Sequence, residues 1–187
     1  MDNREIEVRF FEIDEKAIVA RLIELKARDQ GEELIKEVIF CDKDRQWLVS
    51  MERRYLRLRQ DKTGQHLTFK KLLELTASGT LEIEIEVDDW FKAIEFLTAI
   101  GFIVLREQEK KRHRFVLDSV EVDIVNWPGI PASLELEGKS EDNLKAVVAK
   151  LNLPWSEAVV RDTMWIIENK YKMPINSYRY FTFNKIG

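Results

Sequence analysis

The stretch Leu81-Glu82-Ile83-Glu84-Ile85-Glu86-Val87 alternates apolar and acidic residues without a break. Successive side chains of a strand point to opposite faces, so this segment is a strand with one apolar and one anionic face; a helix cannot use that period. The same period recurs along the chain. Residues 4–12 set Glu5, Glu7 and Arg9 against Ile6, Val8 and Phe10. Arg53–Gln60 and His66–Leu72 flank the turn Asp61-Lys62-Thr63-Gly64 and read as a hairpin, with Tyr55, Arg57 and Arg59 on one face and Lys70 across from them. Residues 33–42 read as a further strand. A long one over Phe102–Leu117 carries Arg106, Lys110, Arg112 and Arg114 at alternate positions. Val120–Val125 adds Glu121 and Asp123, and Ser133–Gly138 adds Glu135 and Glu137.

Helical periods fall between these strands. Asp14 caps a stretch to about Arg28, closed by Gln30-Gly31, and Asp88 or Asp89 caps one through Ile100, ended by Gly101. Two more are expected at about 141–151 and, beyond Pro154, at about 156–171, followed by the aromatic tail Tyr178-Arg179-Tyr180-Phe181. No linker interrupts the pattern, which predicts a single α+β domain over 1–187 with a C-terminal helix and tail from about 155. That tail could dock on a second copy, giving a homodimer, or plug the end of its own sheet.

With 45% hydrophobic residues in 187 the chain can bury a core, which excludes disorder as its main state. A net charge of -4 argues against a general nucleic-acid binder, and the basic run Lys110–Arg114 adjoins Glu107 and Glu109. No apolar run approaches the ~18 residues of a membrane span. The charged start MDNREIEVRF is unlike a signal peptide, and one cysteine, Cys41, permits no internal disulfide. The expectation is a cytoplasmic protein with no membrane partner.

The charges are sorted by strand. Acids occupy the first strand (Glu5, Glu7), the LEIEIEV strand (Glu82, Glu84, Glu86) and the last two (Glu121, Asp123, Glu135, Glu137); bases occupy the hairpin (Arg57, Arg59, Lys70) and the long strand (Lys110, Arg112). An antiparallel sheet with water on its charged face accounts for any one strand alone. Rows of a single sign, however, repel unless screened. Curling the sheet with its charged face inward would enclose both signs. Carboxylates at close quarters are the hard ligands of Mg²⁺ or Mn²⁺, and Arg and Lys clamp phosphate. A polyphosphate with its metals requires both sets together.

The order of these residues resembles the CYTH superfamily of triphosphate tunnel metalloenzymes, which includes class IV adenylyl cyclases, thiamine triphosphatases and inorganic triphosphatases. Glu5-Ile6-Glu7-Val8-Arg9 is similar to the ExExK signature, Arg57-Leu58-Arg59 to the RxR strand, Lys70 to the lysine that follows, and Glu84-Ile85-Glu86-Val87-Asp88 to the acidic strand before a helix. Lys110 through Phe115 resembles KxRxxY, and Asp123 through Trp127-Pro128-Gly129-Ile130-Pro131 to Glu135-Leu136-Glu137-Gly138 resembles the late D…G…ExE block. Ser177-Tyr178 is similar to a terminal Ser-Tyr of many members. Two positions depart from the pattern: Arg9 stands for the signature lysine and Phe115 for the tyrosine.

The resemblance implies an eight-stranded antiparallel β-barrel, a tunnel with a charged interior flanked by helices. It implies triphosphate binding by Arg9, Arg57, Arg59, Lys70, Lys110 and Arg112. It implies one or two divalent cations, Mg²⁺ or Mn²⁺, on Glu5, Glu7, Glu84, Glu86, Asp123, Glu135 and Glu137, with Glu5, Glu7, Asp123, Glu135 and Glu137 as the catalytic acids. Tripolyphosphate, ATP and thiamine triphosphate are the expected substrate types. Hydrolysis is favoured because no adenine-reading motif is evident; cyclisation of ATP and a non-catalytic polyphosphate-binding module are the alternatives. Outside this set, Glu121, Arg106 and Arg114 are expected at the rim, His66 and His113 at the rim or surface, and Cys41 in packing. Trp90, Trp155 and Trp165 are expected in helix packing, and Trp127 against the tunnel end.

Overall fold

The computed structural model describes residues 4–49 and 54–187, apart from the side chains of Arg4, Glu5 and Val49. Arg53, which the alternation assigns to the hairpin, and the Glu5 side chain therefore lie outside the described residues. The strands are β1 (Arg4–Glu5), β2 (Glu7–Phe11), β3 (Arg28–Asp42), β4 (Arg54–Asp61), β5 (Gly64–Leu72), β6 (Thr80–Glu86), β7 (Phe102–Leu117), β8 (Val120–Asn126), β9 (Ser133–Glu137) and β10 (Tyr180–Phe181). The helices are α1 (Glu15–Glu24), α2 (Gln46–Val49), α3 (Trp90–Ala99), α4 (Glu141–Lys150) and α5 (Thr163–Asn169).

The sheet runs β1-β6-β5-β4-β3-β7-β8-β9-β2. Its two ends meet on one N-terminal segment: Arg4 and Glu5 pair with Leu81 and Thr80, while Glu7–Phe11 pairs with Glu137–Ser133. Counted as one strand interrupted at Ile6, β1 and β2 complete a curled sheet of eight antiparallel strands, the fold class expected. The two-residue β10 is an exception, adding in parallel to Glu107 and Gln108 of β7. It occupies the edge that β8, whose pairing starts at Lys111, leaves uncovered.

Burial of the apolar faces under helices holds the curl. Val8, Phe10, Phe115, Val122, Ile124, Leu134 and Leu136 pack with Leu22 of α1 and Leu144, Val147 and Val148 of α4. Phe115, the residue at the expected tyrosine, belongs to this outer core and not to the tunnel. Val38, Phe40 and Leu58 pack with Leu97 of α3. The helices start where side-chain acceptors meet otherwise unpaired backbone N–H groups. Asp14 accepts from Ala17 N, Asp89 from Phe91 N and Lys92 N, Ser140 from Asn143 N and Asp162 from Trp165 N. Gly101 takes φ 101° at the end of α3, a left-handed conformation that side chains disfavour.

Two expectations fail. Gln30-Gly31 does not close α1: that helix ends at Glu24, and Gly31, at φ 82°, sits in a bulge of β3 between the pairs Asp29–Phe115 and Glu32–His113. The single helix at about 156–171 is replaced by a short 3₁₀ turn, Trp155–Glu157, and α5. Backbone pairing of Val159 with Arg9 in both directions, at 2.9 Å each, holds the intervening chain extended. Asp162 then caps a new start.

Candidate functional site

The inner face of the curled sheet surrounds a cavity of about 510 Å³. Its wall includes Glu7 and Arg9 of β2, Glu37 of β3, Arg57 and Arg59 of β4, Lys70 of β5, Glu82 and Glu84 of β6, Lys110 and Arg112 of β7, Asp123 of β8, and Glu135 and Glu137 of β9. All six predicted phosphate ligands thus face one space. So do five of the predicted metal and catalytic acids, Glu7, Glu84, Asp123, Glu135 and Glu137. Glu86 is exposed and lies outside the cavity wall, and Glu5 falls outside the described side chains.

Strand register sets who faces whom. Across β2, β9 and β8, Glu7 pairs with Glu137 and Glu137 with Glu121; one step inward, Arg9, Glu135, Asp123 and, on β7, Arg114 form the next row. On the other side Glu82 is paired with Lys70, Glu84 with Thr68, and Thr68 with Arg57. The rows become ion pairs. Arg9 bonds Glu7 and lies 3.5 Å from Glu135, which also faces Lys110 Nζ at 3.9 Å and accepts from Thr163 Oγ1 at 3.3 Å. Burial alone would raise the Glu135 carboxyl, but Lys110, Arg9 and Lys70 outweigh it and hold it below the usual carboxylate range. Arg114 forks onto Asp123, with Nε to Oδ1 at 2.7 Å and Nη2 to Oδ2 at 2.6 Å, and reaches Glu121 at 2.5 Å. Lys70 Nζ lies 2.6 Å from Glu82, and Arg59 lies 3.3 Å from Glu84.

Arg114 and Glu121 both line the cavity, with side chains 20% and 44% exposed. Arg106, expected at the rim, is 2% exposed; its Nε donates to Gln108 Oε1 at 2.7 Å and its Nη1 to the Ile175 carbonyl at 2.9 Å. The two-residue period already sets it on the face of Gln108, Lys110 and Arg112. A bulge, with Ile39 paired to Arg106 but Phe40 to Val104, brings Leu105 to the same wall. His66 is likewise buried and not superficial, with Nε2 2.9 Å from Thr63 Oγ1. His113 lies at 2.8 Å from Asp29 and stacks on Phe115. Cys41 packs in an apolar cluster with Ile39 and Leu105. Trp127 is buried, stacked on Phe181 of the tail at 5.9 Å, so the tail docks on its own chain.

Sequence reasoning missed Glu37 and Asp61. Glu37, 3% exposed, accepts from Gln108 at 2.5 Å and faces Arg57 at 3.6 Å. Burial pushes its carboxyl up, yet Lys110, Arg57 and the Gln108 bond together hold it below the ordinary range. Asp61 lies 3.2 Å from Arg59 and 3.6 Å from Arg112; it too is raised by burial and lowered further by Thr63 and these guanidiniums. The sequence pattern puts Asp61 in the hairpin turn, where an Asp is unremarkable.

The donor chemistry fits a hard divalent cation. Among the described residues nine basic and ten acidic side chains line the cavity, so the wall has one more acid than base. A polyanion adding several negative charges needs extra positive charge to enter, and the oxygen-rich wall is suited to hold Mg²⁺ or Mn²⁺. Among the same residues no three His, Cys, Asp or Glu side chains already converge on a metal position. Their oxygens are turned to Arg and Lys instead. No helix is long and apolar enough to cross a membrane among the described residues.

The fold is thus a curled antiparallel sheet whose inner face carries opposed rows of acids and bases. The CYTH domain model matches residues 3–155, and the chain belongs to the CYTH family. Solved structures share the fold. A conserved hypothetical protein from Pyrococcus furiosus has 23% identity and a TM-score of 0.71, covering 87% of this chain and 99% of that one. A candidate adenylate cyclase from Vibrio parahaemolyticus has 14% identity and a TM-score of 0.75, covering 89% and 98%. A candidate adenylyl cyclase from Hippeastrum, described as having a dominant triphosphatase activity, has 14% identity and a TM-score of 0.63, covering 91% and 98%. No curated protein matches the chain significantly.

Proposed function

We propose that the protein is a divalent-metal-dependent triphosphatase. The observation that supports this best is the convergence of Arg9, Arg57, Arg59, Lys70, Lys110 and Arg112, from four separate strands, on one cavity that also carries Glu7, Asp123, Glu135 and Glu137. Arg57, Arg59 and Arg112 are planar forks suited to phosphate oxygens, while Lys70 and Lys110 are compact charges. Glu7, Glu84, Asp123, Glu135 and Glu137 would hold Mg²⁺ or Mn²⁺. Such a cation supplies charge neutralisation at the phosphate oxygens. In the reaction a water oxygen attacks the terminal phosphorus, the bond to the bridging oxygen breaks, orthophosphate forms, the diphosphate (pyrophosphate from tripolyphosphate, the organic diphosphate from ATP or thiamine triphosphate) leaves and the water's proton passes to solvent. The wall cations stabilise the charge that develops on the bridging oxygen.

A second reading is cyclisation of ATP. It is favoured by the apolar end of the cavity, where Ile39, Leu48, Tyr55 and Leu105 could receive an organic group. Purified protein with Mg²⁺ or Mn²⁺ is given tripolyphosphate, ATP or thiamine triphosphate, and orthophosphate, pyrophosphate and cyclic AMP are measured. Metal-dependent orthophosphate release from at least one of them is expected. Cyclic AMP from ATP would establish the cyclase instead, and tight binding without any product would leave a polyphosphate-binding module.

A further inference from the structure

The segment beyond the family match walls the cavity and holds several of its charged groups. Asp162, Thr163, Met164 and Asn176 line the space. Arg9 Nη1 donates to the Arg161 carbonyl at 3.3 Å, Thr163 donates to Glu135, and Phe181 stacks on Trp127, over whose ring Lys110 Nζ sits at 5.4 Å. The most directed connection is a buried chain of hydrogen bonds. The Ile175 carbonyl accepts from Arg106 at 2.9 Å, Arg106 donates to Gln108 Oε1 at 2.7 Å, and Gln108 Nε2 donates to Glu37 Oε2 at 2.5 Å. Glu37 in turn faces Arg57 Nη1 at 3.6 Å.

Each step has a single sense. Arginine only donates, so Gln108 must turn its oxygen to Arg106, and its amide nitrogen is then left to face Glu37. A carboxylate so bound through Oε2 presents Oε1 to Arg57. All three residues are nearly inaccessible, at 2%, 4% and 3% exposure for Arg106, Gln108 and Glu37, so leaving one of these bonds unmade is costly.

We propose that Gln108 is a positioning residue of the phosphate clamp: oriented by Arg106 and the Ile175 carbonyl, it holds Glu37 against Arg57, so that docking of the C-terminal segment 161–181 and binding of a polyphosphate favour each other. This rests on the phosphate-binding reading given above. By linkage the effect is reciprocal, so a ligand that fixes Arg57 slows opening of the segment around Ile175.

Hydrogen exchange on the full-length protein tests this with inorganic tripolyphosphate as the probe, alongside its dissociation constant by calorimetry. In the wild type, saturating tripolyphosphate is expected to slow exchange at the amides of Ile175, Tyr178 and Phe181. In Gln108→Met, which removes both hydrogen bonds at similar volume, the dissociation constant is expected to rise by about 5- to 20-fold, and the slowing at those amides is lost even at saturation. A purely structural role would lower the melting temperature while leaving both readouts alone. Saturable binding to wild type with no change at Ile175–Phe181 overturns the coupling whether or not the variant folds. Absence of any tripolyphosphate binding to the wild type overturns the phosphate-binding reading itself, and the coupling with it.

Discussion

Lys110 offers the sharpest test of how the cavity's charges are balanced, because two buried carboxylates depend on it. It is the leading favourable influence on both Glu37 and Glu135. Its Nζ lies 3.9 Å from Glu135 Oε2, an attraction of about 4 kcal/mol at an effective dielectric of ~20. Lys110→Met keeps the stem and removes the charge. Dehydration of the ammonium is regained, and Arg9 and Arg57 continue to face the two acids, so the net loss at neutral pH should be about 2 kcal/mol, below the ~3–5 of a fully broken buried pair. For a chain of this size that is a fall of about 4–8 °C in melting temperature. The loss must depend on pH. Without Lys110 the folded-state pKa values of Glu37 and Glu135 rise toward or above their unfolded values. The variant's deficit is then full above those values and shrinks as pH falls and both forms bind protons. Urea unfolding of both proteins at pH 7.5 and about 4.5 decides this. An equal deficit at both pH values would show that Lys110 acts through packing and not through charge.

The remaining expectations follow from the same network and its supporting core. Glu37, Glu135 and Asp61 are all held below their ordinary ranges, so the native protein binds fewer protons than the unfolded chain there. Wild-type stability should be flat from neutrality to about pH 5.5 and decline steadily below the ordinary carboxylate range, read as melting temperature against pH; a rise on acidification would contradict the ion-pair assignment. Leu144→Ala, at a fully buried α4 position outside the cavity wall, should cost about 2–5 kcal/mol in urea unfolding while leaving the tripolyphosphate dissociation constant unchanged.

Legibility of the fold followed from how each strand is used. β6, β8 and β9 put charge on one face and apolar side chains on the other, and their alternation located them to within a residue or so. β3 does not behave this way. The face that brings Glu37 and Ile39 to the cavity runs Glu33, Ile35, Glu37, Ile39 and Cys41, because the strand passes from the charged part of the interior into its apolar end. On the opposite face Val38 and Phe40 are buried under α3. With apolar residues on both faces, the sequence 33–42 gives a strand but no inward face, and Glu37 is invisible as a site residue. The bulge at Leu105 breaks the two-residue period where the interior changes from charged to apolar, so Leu105 joins the face that Arg106 shares with Gln108 and Lys110, and periodicity alone does not show it there.

The C-terminal region failed for a different physical cause. Nothing local in residues 156–162 opposes a helix strongly; their extended course is imposed by hydrogen bonds between Val159 and Arg9, some 150 residues away in sequence. A pattern read in windows cannot register such a partner. The same long-range contacts bring Asp162, Thr163 and Asn176 into the cavity wall. The parts of the site that strand periodicity could show are those each strand carries by itself. The parts it could not show, Glu37 and the 161–181 wall, are those whose position depends on a second element. Arg106 and Gln108 join the two: Ile175 binds Arg106, Arg106 binds Gln108 and Gln108 binds Glu37, and the first and last of these links are contacts between elements that no window of the sequence contains.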